Sequence, residues 1–259
     1  MNERVIAPRI LFWDLETSGL KADMEHLICF ASQFADEPKP RIISLLDFPK
    51  DHARDPSDDK ALCKAAYKRL VAADLWVFHY GKYFDSRFMR SRLAQNGHKP
   101  LPPIKWFDTW EAARNHFALG SNRLDALADF LNISDRKTYL NKRIWRRART
   151  GHVPSIRYVN KHGYADIILL KKVYDQLKVI VPAYFDLRRF NLNPKICAHC
   201  GHSRLVSQDI RPRLSTGGFV RRLQCYACFG WTYQKLTKSE VNEYVMHNVL
   251  GSSKTAHGT

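Results

Sequence analysis

The sequence is poor in three things, and each shortage excludes something. Its longest apolar runs, such as Val179 to Phe185, fall far short of the roughly 20 residues that a membrane-spanning helix needs. No basic-then-apolar leader precedes the first apolar segment, so the chain is expected to be soluble and intracellular, cytoplasmic or nucleoid-associated, with no membrane partner. Acids are scarce: 25 Asp and Glu stand against 42 Lys and Arg, a formal net charge of +17. That imbalance points to a polyanionic partner, nucleic acid before membrane. Cysteine is also sparse, with six in all, four of them in two Cys-x-x-Cys pairs while Cys29 and Cys63 sit alone in apolar surroundings. This spacing argues against a disulfide framework and for a metal at the pairs, with the two single thiols packed in a core.

What is present is an ordinary hydrophobic content, 45% over 259 residues, enough for one sizeable domain and a small appendage. Residues 9–14 (RILFWD), 27–34 (LICFASQF) and 41–48 (RIISLLDF) are short, β-branched or aromatic segments separated by turn-forming stretches, which predicts a three-stranded antiparallel meander. Asp58 to Asp74 has helical spacing and leads into a strand at Leu75 to Phe78. A helix from about Phe84 to Gln95 and a strand from Ile104 to Phe107 follow. Next come two short helices, Thr109 to Phe117 and Arg123 to Leu131, the second with Ser121 or Asn122 available as its cap. A long helix from about Ser155 to Val179 closes the region. The expected fold class is α/β, a mixed sheet of a three-stranded meander plus further strands, flanked by helices. From Asn191 the composition turns loop-rich and cysteine-bearing, which predicts domains at 1–190 and 191–236, then a short segment over 237–259 whose final GSSKTAHGT is expected to be disordered.

The first strand ends in Asp14-x-Glu16. Residues i and i+2 of a strand share a face, so the two carboxylates stand side by side if the strand persists. They repel each other unless a cation neutralises them or the strand end is solvated. Other acids occupy related settings. Asp85 lies where Tyr83-Phe84-Asp85 passes from a strand and turn into a helix, and His162 and Asp166, four apart, share one face of the last helix.

Taken in order, Asp14-x-Glu16, Tyr83-Phe84-Asp85 and His162-x3-Asp166 resemble the motifs of the DEDD family of 3′-to-5′ exonucleases, whose fold is ribonuclease H-like. The resemblance covers about residues 8–180. It implies two Mg²⁺ or Mn²⁺ ions, hard cations that favour oxygen ligands, held by Asp14, Glu16, Asp85 and Asp166. By the same resemblance Asp14 bridges both ions, Asp85 serves the second, and His162 is the general base. His162 departs from the family's pattern, combining the histidine of one branch with the spacing of another; Lys161 occupies the alternative position, and Tyr158 and Tyr164 are poorer substitutes. Tyr80 stands where the family often has Asn. The resemblance also places Thr17 and Leu20 against the terminal nucleotide, with Phe84 beside its base or else in the core.

Cys197-x2-Cys200 and Cys225-x2-Cys228 are 24 residues apart, each pair followed closely by glycine, Gly201 and Gly230. The stretch between them can fold as a hairpin that brings four thiolates to one tetrahedral Zn²⁺, an arrangement that resembles a structural zinc ribbon; His199 and His202 are unneeded as ligands. Residues 136–149 (RKTYLNKRIWRRAR) hold seven basic residues and no acid, and 188–222 hold eight with one acid. Arg143, Trp145, Arg146 and Arg147 are therefore candidate contacts to single-stranded DNA or RNA, unless the run is simply a solvated face. The ribbon is expected to clamp substrate or to dock a replication or transcription protein. The resulting expectation is a 3′-to-5′ exonuclease acting on single strands, DNA favoured over RNA, with an exoribonuclease, a flap-trimming endonuclease and an inactive nucleic-acid-binding protein as the alternatives.

Overall fold

The computed structural model describes residues 8–135, 138–181, 186, 188, 195–213 and 217–250. Pro8–Leu177 forms one compact unit, and the described residues from Lys178 onward belong to a second. The boundary expected at 190/191 and the tail expected to be disordered both lie outside the described residues. No helix among those described is long and apolar enough to cross a membrane.

The first unit is built on a five-stranded mixed sheet in the order β3-β2-β1-β4-β5. Strands β1 (Ile10–Thr17), β2 (Leu27–Phe34) and β3 (Arg41–Ser44) form the antiparallel meander, while β4 (Leu75–Phe78) and β5 (Lys105–Asp108) add parallel to β1. Helices α1 (Pro49–Arg54), α2 (Lys60–Val71), α3 (Asp85–Gln95), α4 (Thr109–His116), α5 (Leu124–Phe130), α6 (Lys142–Arg149) and α7 (Val153–Ile180) complete it, with α7 running into the second unit's first residues.

Two expectations are corrected. The third strand stops at Ser44 instead of running to 48, because Ser44 caps a 3₁₀ turn at Leu45–Asp47 through a reciprocal capping box with Asp47. Neither Ser121 nor Asn122 is the N-cap of α5: Arg123 holds that position, and Ser121 Oγ accepts from Arg123 N at 3.3 Å. The segment from 237 carries a further helix, α8 (Lys238–Val245), opened by a Thr237 and Glu240 capping box.

β1 is buried on both faces because its alternating side chains meet different layers. Leu11, Trp13 and Leu15 join the apolar cluster that takes in Leu62, Ala66 and Leu70 of α2 and Phe88 of α3. On the other face Phe12 meets Tyr174 of α7 edge to face at 5.3 Å, and Tyr174 meets Phe107 of β5 at 5.0 Å. Asp14 and Glu16 continue the Phe12 face, so the strand delivers its carboxylates beneath α7. Asp59 secures the other layer. Wholly buried, it accepts from Leu27 N (2.8 Å), from Arg92 Nε (2.8 Å) and Nη2 (2.7 Å), and from Asn96 Nδ2 (2.8 Å), so one carboxylate joins α2, β2 and α3. Replacing Arg92 by Leu leaves that charge unmatched in the interior. Urea denaturation of the full chain is expected to show a loss of about 3–5 kcal/mol; a loss under about 1 kcal/mol would remove the pair from any structural role.

Candidate functional site

The end of β1 outruns its parallel neighbour. Pairing with β4 stops at Phe12 and Val77, while pairing with β2 continues to Thr17. The carboxylate of Asp85, the first residue of α3, comes in on this side, and its Oδ1 accepts from Leu15 N at 3.0 Å. Burial, with the Asp108 carboxylate adding to it, pushes Asp85 up to about 7 against the pull of the Leu15 hydrogen bond. A cation nearby would draw so raised a carboxyl to its ionised form at neutral pH.

The turn that aims Asp85 is set from a distance. Asp108, N-cap of α4, accepts from Trp110 N within its own helix, and also from Tyr80 N at 2.8 Å and Lys82 N at 3.1 Å. Tyr80 sits at φ 63°, a left-handed conformation that a bulky residue adopts only when its surroundings hold it there. Asp108 was not anticipated from the sequence; its only local signal is an Asp immediately before a helix.

On the α7 side, Glu16, His162 and Asp166 bring one ligand atom each to within 4.8 Å of one another. His162 Nε2 lies 3.9 Å from Glu16 Oε1 and 3.8 Å from Asp166 Oδ2, and its Nδ1 is 2.7 Å from Thr138 Oγ1. Asp14 lies outside this trio but shares its face: burial, then Glu16, then Asp14 push the thiol of Cys29 up. Gly163 permits the approach. A Cβ there would stand 3.1 Å from Ala31 Cβ, 3.6 Å from Cys29 Sγ and 3.7 Å from Glu16 Cγ, so even a methyl group would crowd Ala31 by a few tenths of an ångström at the residue next to His162. Thr138 and Gly163 were also not anticipated; the glycine inside a helical pattern was the available clue. Two carboxylates and an imidazole so placed, with Asp14 and Asp85 beside them, suit a divalent cation with oxygen-rich ligation. Of the substitutes for His162, Tyr158 donates its hydroxyl to Tyr139 O at 3.0 Å.

A cleft of about 810 Å³ opens beside His162, lined among others by Tyr80, Trp110, Arg123, Thr138 and Tyr139. Tyr80, Tyr83 and Trp110 form an aromatic cluster, with ring centroids 4.9–5.7 Å apart. The residues expected from the sequence to contact substrate are not among those lining this cleft. Thr17 is buried, with its hydroxyl donated to Gly19 O, while Leu20 is 79% exposed. Phe84 packs beside Phe88 in the core cluster. On α6, Arg143, Arg146 and Arg147 are exposed, whereas Trp145 is half-buried against the cluster of Ile28, Cys29, Ala148, Ile156 and Val159. Arg146 lines a second, smaller cleft with Met24, His26 and Arg149.

In the second unit β6 (Leu205–Pro212), β7 (Phe219–Cys225) and β8 (Trp231–Lys235) form an antiparallel sheet, one strand more than the expected hairpin. The Sγ atoms of Cys197, Cys200, Cys225 and Cys228 lie within 4.8 Å of one another, with Cys197 to Cys228 at 3.7 Å and Cys200 to Cys225 at 3.6 Å. A tetrahedron with Zn–S bonds of about 2.3 Å has edges of about 3.8 Å, so the four thiols fit a zinc ribbon. The residue after the second cysteine of each pair is left-handed, Gly201 at φ 77° and Phe229 at φ 58°. Gly230 thus does not supply the second turn's positive φ; a Cβ there would stand 2.9 Å from the His199 ring, so its role is to leave room. His199 itself has Nε2 2.8 Å from Trp231 O.

A five-stranded mixed sheet with a meander, two parallel additions and carboxylates at the end of its central strand defines a ribonuclease H-like α/β protein. Residues 11–178 match the RNase_H_2 family of the RNase_H superfamily, and the chain belongs to that superfamily. Among solved structures, the family B DNA polymerase from the hyperthermophilic archaeon Pyrobaculum calidifontis is similar in fold, with a TM-score of 0.51 and 11% identity. The similarity covers 84% of this chain and 32% of the polymerase, so the chain spans about a third of that protein's length. No curated protein matches in sequence.

The zinc reading makes a separate prediction. Stripping the metal with a thiol-competing chelator should expose residues 195–235 to protease while 8–177 stays resistant, read by limited proteolysis and mass spectrometry. Unchanged resistance over 195–235 after verified zinc loss would contradict a metal-dependent fold.

Proposed function

We propose that the chain is a divalent-metal-dependent nuclease that removes nucleotides from the 3′ end of single-stranded nucleic acid, DNA in preference to RNA. The convergence of Glu16, His162 and Asp166 within 4.8 Å, on the face of β1 that also carries Asp14, is the observation that carries this reading. Membership of the RNase_H superfamily and the polymerase-like fold support it. The preference for DNA rests on the spacing of the last motif.

Asp14, Glu16, Asp85 and Asp166 are the residues that would hold two Mg²⁺ or Mn²⁺ ions, which supply charge compensation for the attacking and leaving oxygens. His162 takes the proton of the attacking water at Nε2. For that the neutral ring must carry its hydrogen on Nδ1, which donates to Thr138 Oγ1 and fixes the ring's orientation. The water oxygen bonds to phosphorus, the bond from phosphorus to the preceding sugar's O3′ breaks, and a nucleoside 5′-monophosphate leaves. Asp108 acts through Asp85 by holding the Tyr80 to Lys82 turn, and is a positioning residue. The open cleft beside His162, with Tyr80, Trp110 and Tyr139 in its wall, offers stacking surfaces for bases near the terminus.

The test uses 5′-labelled DNA and RNA single strands of matched sequence with Mg²⁺ or Mn²⁺. A ladder shortening from the 3′ end, abolished by Asp14→Ala, is expected; products of one internal cut, or no metal-dependent degradation of either polymer, would contradict the proposal. Thr138→Val should lower kcat by about 10- to 100-fold with KM little changed and should alter the acidic limb of the pH profile, whereas Thr138→Ser should retain most activity. An unaltered profile in Thr138→Val would remove the threonine from His162's function.

A further inference from the structure

The sheet of the second unit has two unlike faces. Strand pairing sets three rows across one of them: Val206, Gln224 and Trp231; Asp209, Arg222 and Tyr233; Arg211, Val220 and Lys235. The opposite face holds Leu223 against Thr232, both buried, and sets Phe219 against Tyr244 of α8, ring centroids 5.5 Å apart. The first face is open at its first two rows, with Val206, Trp231 and Tyr233 exposed by 45%, 41% and 55%, while Val220 in the third row is buried.

Its charge is arranged around one acid. Arg222 and Arg211 both bond Asp209, the latter at 2.9 Å, and the Arg222 guanidinium lies 5.5 Å from the centre of the Trp231 ring. Lys235 adds a third cation to the face. Asp209 therefore orients the arginines more than it neutralises the surface, and Arg222 beside the indole is a cation–π contact that holds the ring in place. Beyond the sheet, Arg204 lies 4.2 Å over the exposed ring of Tyr226.

We propose that this face is a second nucleic-acid contact, which binds a single-stranded segment by stacking bases on Trp231 and Tyr233 while Arg211, Arg222 and Lys235 meet its phosphates. The two rings are i and i+2 on one strand, about 7 Å apart along it, so each receives one base of an extended chain. Stacking on a ring takes any base, which makes the contact independent of sequence, and a paired duplex keeps its base faces covered. Three cations around one carboxylate favour a polyanion over a protein surface. The contact goes beyond the cleavage reading and stands without it, because nothing in it involves the carboxylates of the first unit.

The experiment is a fluorescence-anisotropy titration of labelled oligothymidylate, and of a duplex, with the zinc-loaded full chain and no added Mg²⁺ or Mn²⁺, so that cleavage does not enter. Trp231→Ala and Tyr233→Ala should each weaken single-strand binding about tenfold with duplex binding little changed. Lys235→Ala should lower the slope of log affinity against log salt by about one. Zinc content is measured for every variant; if Trp231→Ala loses zinc, Trp231→Leu, which keeps apolar bulk without an aromatic ring, decides. Zinc-loaded variants that bind oligothymidylate as tightly as wild type would overturn the proposal and leave the face to a protein partner. Equal losses on single strand and duplex would overturn the stacking.

Discussion

The close approach of α7 to the sheet at Gly163 is the constraint on which the candidate site depends. It brings His162 and Asp166 over the face of β1 where Asp14 and Glu16 stand, at distances too long for direct hydrogen bonds and suited to an ion or water between them. The same approach buries Cys29, and burial with Glu16 and Asp14 nearby pushes its thiol up, so it stays neutral and adds no further negative charge to the site. Several acids gathered in so little solvent are electrostatically unfavourable without a cation. That imbalance is what a metal site should show before its metal is considered.

The rest of the first unit keeps this arrangement rigid. β1 is packed on both faces, which fixes its register and so which side chains point at α7. The early end of its pairing with β4 admits Asp85 to the Leu15 N–H, and Asp108 fixes the Tyr80 turn from which α3 departs. Asp59 and Arg92 lock the opposite layer. Each of these is a buried polar group held by hydrogen bonds, and each joins elements that are distant in sequence. The second unit uses another device, four clustered thiols in place of a large core, as suits a small three-stranded sheet.

Much of this was legible in the residues. The alternation in β1 put Asp14 and Glu16 on one face, and helical spacing put His162 and Asp166 on another, because both follow from local geometry. The paired cysteines carried their own spacing rule. What stayed hidden is mostly long-range. Thr138 meets His162 across 24 positions and Asp108 meets Tyr80 across 28, and no local pattern announces either contact. Helix α6 was hidden differently: its charge density masks Ile144 and Ala148, four apart on one face, which with Leu140 just before the helix join a buried apolar cluster. With α6 unrecognised, Trp145 read as an exposed stacking residue, while the exposed rings of Tyr80 and Tyr139 beside His162 drew less notice.

The central claim is that the β1 and α7 carboxylates form a divalent-cation site. It is tested most directly by Mn²⁺ binding to the zinc-loaded full chain, followed by electron paramagnetic resonance of the free ion. The account predicts saturable binding that is lost in Glu16→Gln and Asp166→Asn, with zinc content and the unfolding transition preserved. Mn²⁺ binding that persists undiminished in both folded variants would contradict it.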